Sequence, residues 1–191
     1  MQRAPRLLAA CFFLALLAAC ATARPPGELP ASNAAITDFS LDGRVAVKVE
    51  SRGYSANLKW RHTDQADSLR LLSPVGTAIA QLDADAGGAT LVTADKKVHR
   101  SGNVQDLTRE VLGWDLPLEG LQHWVLGRID PSLPAEGEER DARGRLLRFS
   151  QNGWRVSYQA YAGDGVLPVR MTLRHERLNL RLVIDRWDIP G

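Results

Sequence analysis

Covalent or acid–base chemistry in this 191-residue chain would begin at four histidines, two cysteines and one close pair of aspartates. His62, His99, His123 and His175 are scattered, and none stands at metal-ligand spacing from another. Asp83 and Asp85 lie two apart at the end of an expected strand, which puts both carboxylates on one face. Such a pair runs acid–base chemistry only where the surroundings drive its two pKa values apart. Here Ala86-Gly87-Gly88 follows directly and marks a solvated turn. The acids from Glu136 to Asp141 fall in DPSLPAEGEERD, read as an acidic loop that serves solubility. There is no G-x-S-x-G elbow and no glycine-rich phosphate loop. The expectation is a protein that is not an enzyme and uses no metal or cofactor.

The cysteines carry a different chemistry. LLAAC occurs at Leu7–Cys11 and again at Leu16–Cys20. An export signal needs a basic start and about 7–15 apolar residues before small residues at the cleavage point. Arg3 and Arg6 supply the start, and only Cys20 has an uncharged run of sufficient length before it, Leu7 to Ala19. That run is shorter than the roughly 20 residues a membrane-spanning helix needs. Residues 1–19 are therefore expected to be removed, with Cys20 as lipidation site and new N-terminus. No disulfide is then possible in the mature chain, so its stability must come from a hydrophobic core.

Removal of the signal takes away Arg3 and Arg6 and no acid, leaving 22 basic and 22 acidic residues. A formally neutral chain lacks the basic excess of a general nucleic-acid binder. Charge alone does not hold it to a membrane, so an acyl anchor must. Residues 20–38, with Pro25, Pro26 and Pro30 in a run poor in packing groups, are expected to be a tether. Residues 39–191 are expected to form a single domain.

From Phe39 the pattern is alternation of period two. Leu41, Val45, Val47 and Val49 share one face, and Tyr54, Ala56, Leu58 and Trp60 share another after a short turn. Further runs follow at close spacing: SLRLLSP, TAIAQLDA, GATLVTAD, KKVHR, RLLRFSQ, GWRVSYQAY, LPVRMTLRHE and LNLRLVIDRW. These predict a meandering antiparallel sheet. Two short helices interrupt it, NVQDLTREVLG capped by Asn103 and closed by Gly113, and LEGLQHWVLG ending at Gly127.

One twisted sheet with two short helices has a large apolar face and little to cover it. The inward positions, including Trp60, Trp154, Leu173, Leu180, Leu182 and Ile184, either fill a core or line an apolar pocket suited to an acyl chain, and spacing leaves both open. The turn Ser73-Pro74-Val75-Gly76 is unusual in having a valine at its tip.

The Cys20 box, DGRVAVKV, LLSPVGTA, GWDLPLEGLQHWVLG, SQNGWRVSYQAY and LRLVIDRW together resemble the outer-membrane lipoprotein receptor LolB family of the bacterial lipoprotein-localisation system. They follow the family's order from Phe39 to Trp187. The resemblance implies a mainly β fold, an unclosed antiparallel β-barrel with helices over an apolar cavity. It implies a monomer, lipid-anchored in the outer membrane and facing the periplasm. Such a protein takes lipoprotein cargo by its acyl chains from the periplasmic carrier LolA and places it in the inner leaflet of the outer membrane. The family's Pro-Leu-Gly loop, needed for membrane insertion, corresponds to Pro74, Val75 and Gly76, with valine in place of leucine. Ala21 after Cys20 is compatible with export to the outer membrane. The alternative is a structural or scaffold lipoprotein without lipid-transfer activity.

Overall fold

The computed structural model describes residues 32–163 and 165–190. Cys20, the signal segment and most of the expected tether lie outside the described residues.

Eleven strands form one antiparallel sheet in the order β6-β5-β4-β3-β2-β1-β11-β10-β9-β8-β7. The first six are β1 (Phe39–Val49), β2 (Arg52–His62), β3 (Ala66–Leu72), β4 (Ala78–Asp85), β5 (Gly88–Thr93) and β6 (Val98–Ser101). The rest are β7 (Ala135–Arg140), β8 (Leu146–Gln151), β9 (Trp154–Tyr161), β10 (Pro168–His175) and β11 (Leu178–Asp188). Each half is a meander of neighbouring hairpins, and the long ladder of β1 with β11 joins them. A right-twisted sheet of this size curls, but its edges β6 and β7 do not pair, so the barrel stays open.

The chain travels from one edge to the other through two helices, α1 (Val104–Leu112) and α2 (Leu118–Trp124), that cover the concave face. Asn103 begins α1 by accepting from Asp106 N at 2.8 Å, and Gly113 ends it at φ +79°, where a side chain would be strained. Pro117 stands just before α2. Both helices fall where the sequence predicts them.

Two expectations change. DPSLPAEGEERD is not wholly loop, because Ala135–Arg140 pairs with β8 as an edge strand. It lacks apolar alternation because most of its residues are exposed, and charges on an edge discourage pairing with another chain. The packed body also begins before Phe39. Asn33 Nδ2 donates to Leu126 O at 2.6 Å, Arg128 Nη1 donates to Asn33 O at 3.2 Å, and Ile36 is buried in the core.

Gly43 sits where the register between β1 and β11 shifts, and a Cβ there would lie 2.3 Å from Val183 O. Gly43→Ala is therefore expected to destabilise the domain by about 1–3 kcal/mol, seen as a lower denaturation midpoint at unchanged m-value.

Candidate functional site

The concave face divides into a filled half and an open half. In the filled half, Trp124 of α2 packs against Phe149 and Trp154, with ring centroids 6.3 Å apart in both cases. Hydrogen bonds fasten the helix there. Trp124 Nε1 donates to Gln151 Oε1 at 2.8 Å, and Tyr158 Oη donates to Trp124 O at 2.8 Å. Gln151 Nε2 in turn donates to Asp130 O and Leu133 O, both at 2.8 Å.

In the open half, β1–β5, β11 and the helices enclose an apolar cavity of about 120 Å³. Trp60, Leu180 and Leu182 line it, joined by Val45, Val47, Leu58, Leu69, Leu71, Leu82 and Leu91 from the sheet. Leu112, Trp114, Leu116 and Leu121 close it from the helical side. Thr108 is the one lining residue that is neither aliphatic nor tryptophan, and its hydroxyl is turned back to Val104 O at 2.9 Å. Trp154, Leu173 and Ile184 face the same way but lie outside the cavity, packed into the core. Alternation assigns the inward face, whereas α2 decides which inward residues have a helix pressed on them.

The cavity reaches toward the end of the barrel that carries the β3–β4 turn. There Leu112, 43 % exposed, forms part of its rim. Ser73 N donates to Thr77 O at 2.8 Å, Gly76 N donates to Ser73 O at 2.8 Å, and Gly76 takes φ +85°. This is a tight hairpin with a left-handed bulge residue. It leaves Val75 at the tip, 88 % exposed. Tyr54, 62 % exposed, lies three residues beyond Asn57, the β2 partner of Leu72, and so reaches the level of that tip.

A polar cleft of about 760 Å³ opens at the opposite end and meets the cavity at Leu116, which borders both. Its floor is a network that sequence reading missed. Asp67, 6 % exposed, accepts from Trp60 Nε1 at 2.7 Å and Gln122 Nε2 at 2.6 Å, and lies 2.9 Å from His62 Nδ1. The available signal was a carboxylate in phase with inward-facing Leu69 and Leu71. His123 also borders the cleft, and burial lowers its pKa despite Asp130 at 3.9 Å. His99 and His175 lie on separate strands, β6 and β10, with His175 stacked on Trp154. Asp83 accepts from Ser68 Oγ and Gln81 Nε2, while Asp85 accepts from Gly87 N. Among the described residues, no group of three or more His, Cys, Asp or Glu is placed to hold a metal ion.

The α helices differ in how they are held. Among the described residues α1 makes no side-chain hydrogen bond to the sheet: Asp106 and Arg109 bond to each other and to Asn103 and Asp115. Its attachment is apolar, through Leu107 against Leu82, Ala89 and Leu91. By contrast, α2 is tied to β3, β8 and β9 through Asp67, Gln151 and Tyr158.

An open barrel that keeps an apolar hollow beneath a weakly latched helix defines a binder of apolar ligands. Residues 37–187 match the family described as Outer membrane lipoprotein LolB, and the chain belongs to that family. Two relatives carrying the name outer-membrane lipoprotein LolB show the extent of the match. The one from Nitrosomonas europaea is 37% identical over 153 residues, covering 78% of this chain and 72% of the relative. The one from Azoarcus sp. is 34% identical over 193 residues, covering 99% of each. A DUF1329 family protein from Desulfovibrio piger shares the fold, with TM-score 0.53 at 12% identity, covering 82% of this chain and 87% of that one.

Asp67→Ala would leave a buried indole N–H and the Gln122 amide without their acceptor. It is expected to cost roughly 2–4 kcal/mol, with Asp67→Asn milder, as measured by denaturant unfolding.

Proposed function

We propose that this chain is an outer-membrane lipoprotein that accepts other lipoproteins by their acyl chains and delivers them to the outer membrane. Residues 1–19 act as its signal peptide, Cys20 carries its lipid anchor, and the chain up to the packed body is its tether. The cargo comes from the periplasmic carrier LolA. The observation that carries this reading is the apolar cavity beneath α1, together with membership of the LolB family. The protein acts by binding and release, without making or breaking a bond in its cargo.

A cavity of about 120 Å³ is small for this task. A cavity of about 150 Å³ takes one benzene, and an acyl chain is far longer. Uptake therefore requires α1 to lift from the sheet, which its purely apolar attachment permits at modest cost. Trp60, Leu180 and Leu182 then contact the chains, while Trp154, Leu173 and Ile184 stay in the fixed core. Release runs downhill only where the bilayer binds the chains better than the cavity does. The Pro74-Val75-Gly76 tip reaches into the bilayer beside the cavity mouth. The scaffold alternative predicts a filled interior and gains nothing from the cavity.

The direct test mixes carrier preloaded with labelled lipoprotein and the mature chain bearing Cys20→Ala, before any membrane is added. Label is expected to move to the chain; retention on the carrier with a folded acceptor would overturn the reading. A disulfide joining α1 to β5 through Leu107→Cys and Ala89→Cys is expected to block uptake when oxidised and restore it when reduced.

Val75→Glu should leave stability within about 0.5 kcal/mol of wild type, since the site is exposed. It should nevertheless impair delivery from the loaded protein into vesicles. Val75→Leu adds one methylene, about 0.8 kcal/mol of burial, and is expected to deliver at least as well. Normal delivery by the glutamate variant would remove the tip from the mechanism.

A further inference from the structure

The convex face of the sheet carries a patch of cations that form no ion pair among the described residues. Lys48, Arg155, Arg170, Arg174 and Arg181 are all exposed, and none makes a side-chain hydrogen bond or ion pair among the described residues. Register places them together. Arg181 of β11 stands opposite Thr172 of β10 and Ala46 of β1, so Arg170, Arg174 and Lys48 are its diagonal neighbours, roughly 7–8 Å away. Arg174 stands directly opposite Arg155 of β9, an arrangement of like charges that destabilises a sheet.

Every other outward residue between Arg155 and Gln159 of β9, or between Arg170 and Arg174 of β10, is uncharged. The nearby carboxylates of β1 and β11 are committed, Asp42 to Lys59 and Arg186, and Asp185 to Arg44. Glu136 and Glu176 border a shallow depression at the margin, beside Arg155 and Arg174. At the margins of the patch some charges are paired, Arg148 with Glu139 and Arg177 with Glu50, while Arg61 of β2 and Arg70 of β3 extend the set of cations without an ion pair among the described residues.

We propose that this convex face of β9, β10, β11 and β1 docks onto the anionic headgroups of the bilayer to which the protein is anchored. The inference rests on the membrane attachment proposed above and adds how the body lies on it. The packed chain enters the domain beside Leu126, next to the start of β1, whereas Val75 stands at the other end of the strands. With the barrel on its side, anchor and tip both engage one bilayer without the tether having to span the length of the strands. Of the two sides, the convex one offers a broad cationic surface, with a depression only at its margin, suited to a plane of mobile anions. The helical side, with α1, then faces away from the membrane and stays free to meet a loaded carrier.

The test uses the mature acylated chain, inserted in vesicles through Cys20, with a spin label on Ser157→Cys of β9, opposite Thr172 and beside the cationic patch. Access of a water-soluble nickel chelate to the label is compared on phosphatidylethanolamine vesicles with and without phosphatidylglycerol. Protection is expected only with the anionic lipid and should fade as salt rises. Lys48→Gln, Arg174→Gln and Arg181→Gln should each lower the docking equilibrium about fivefold. Equal access on both vesicles, or protection unchanged in the triple variant, would overturn the proposal. So would a triple variant that slows cargo acceptance from the carrier at unchanged protection, which would assign the patch to the carrier. Normal cargo delivery by the Val75→Glu variant with the label still protected would remove the tip and leave the docking face standing.

Discussion

How α2 is bolted down governs the rest of the concave side. Gln151 lies on β8, and its amide spends both ends on the helix and the segment after it, accepting from Trp124 and from Asp130 N and donating to two carbonyls. Because these groups are buried, each unmade bond would carry the full desolvation penalty. The helix therefore cannot slide, and Trp124 is held against Phe149 and Trp154. With α2 fixed over one half of the face, only α1 and the short connection between the helices cover the other half among the described residues.

Under the function proposed above, that shortfall is what receives the cargo. An unfilled apolar space of about 120 Å³ costs the fold about 3 kcal/mol at the rate known for engineered cavities. An apolar guest can recover that deficit on entering. The same geometry limits how tightly the guest is held, because α1 returns only apolar contact and no polar latch. A site that captures by filling a void and lets go by lifting one helix suits an intermediate between a carrier and a bilayer.

Much of this was legible in the sequence, and the gaps have physical causes. The strands from β1 to β6 and from β8 to β11 announce themselves because one face is buried and alternation survives. β7 does not, since Glu136, Glu138 and Glu139 are exposed on an edge and no burial selects their neighbours. Both helices were readable, α1 from apolar spacing between Asn103 and Gly113 and α2 from the same spacing in LEGLQHWVLG ending at Gly127. The division of Trp60, Leu180 and Leu182 from Trp154, Leu173 and Ile184 was not. All six obey the same period, and only the placement of α2 across the sheet separates them. Asp67 stands just ahead of the run SLRLLSP, and its role emerges only where Trp60 and Gln122 converge on it.

The five tryptophans of the chain are not equivalent as chromophores. The indole N–H groups of Trp60, Trp124 and Trp187 are engaged by Asp67, Gln151 and the Pro168 carbonyl. Trp154 is stacked on His175. Trp114 alone combines a half-buried position on the cavity wall with an indole free of any hydrogen bond among the described residues. Under the proposed function its emission colour would follow what enters the hollow, an optical gauge of loading readable without any added dye.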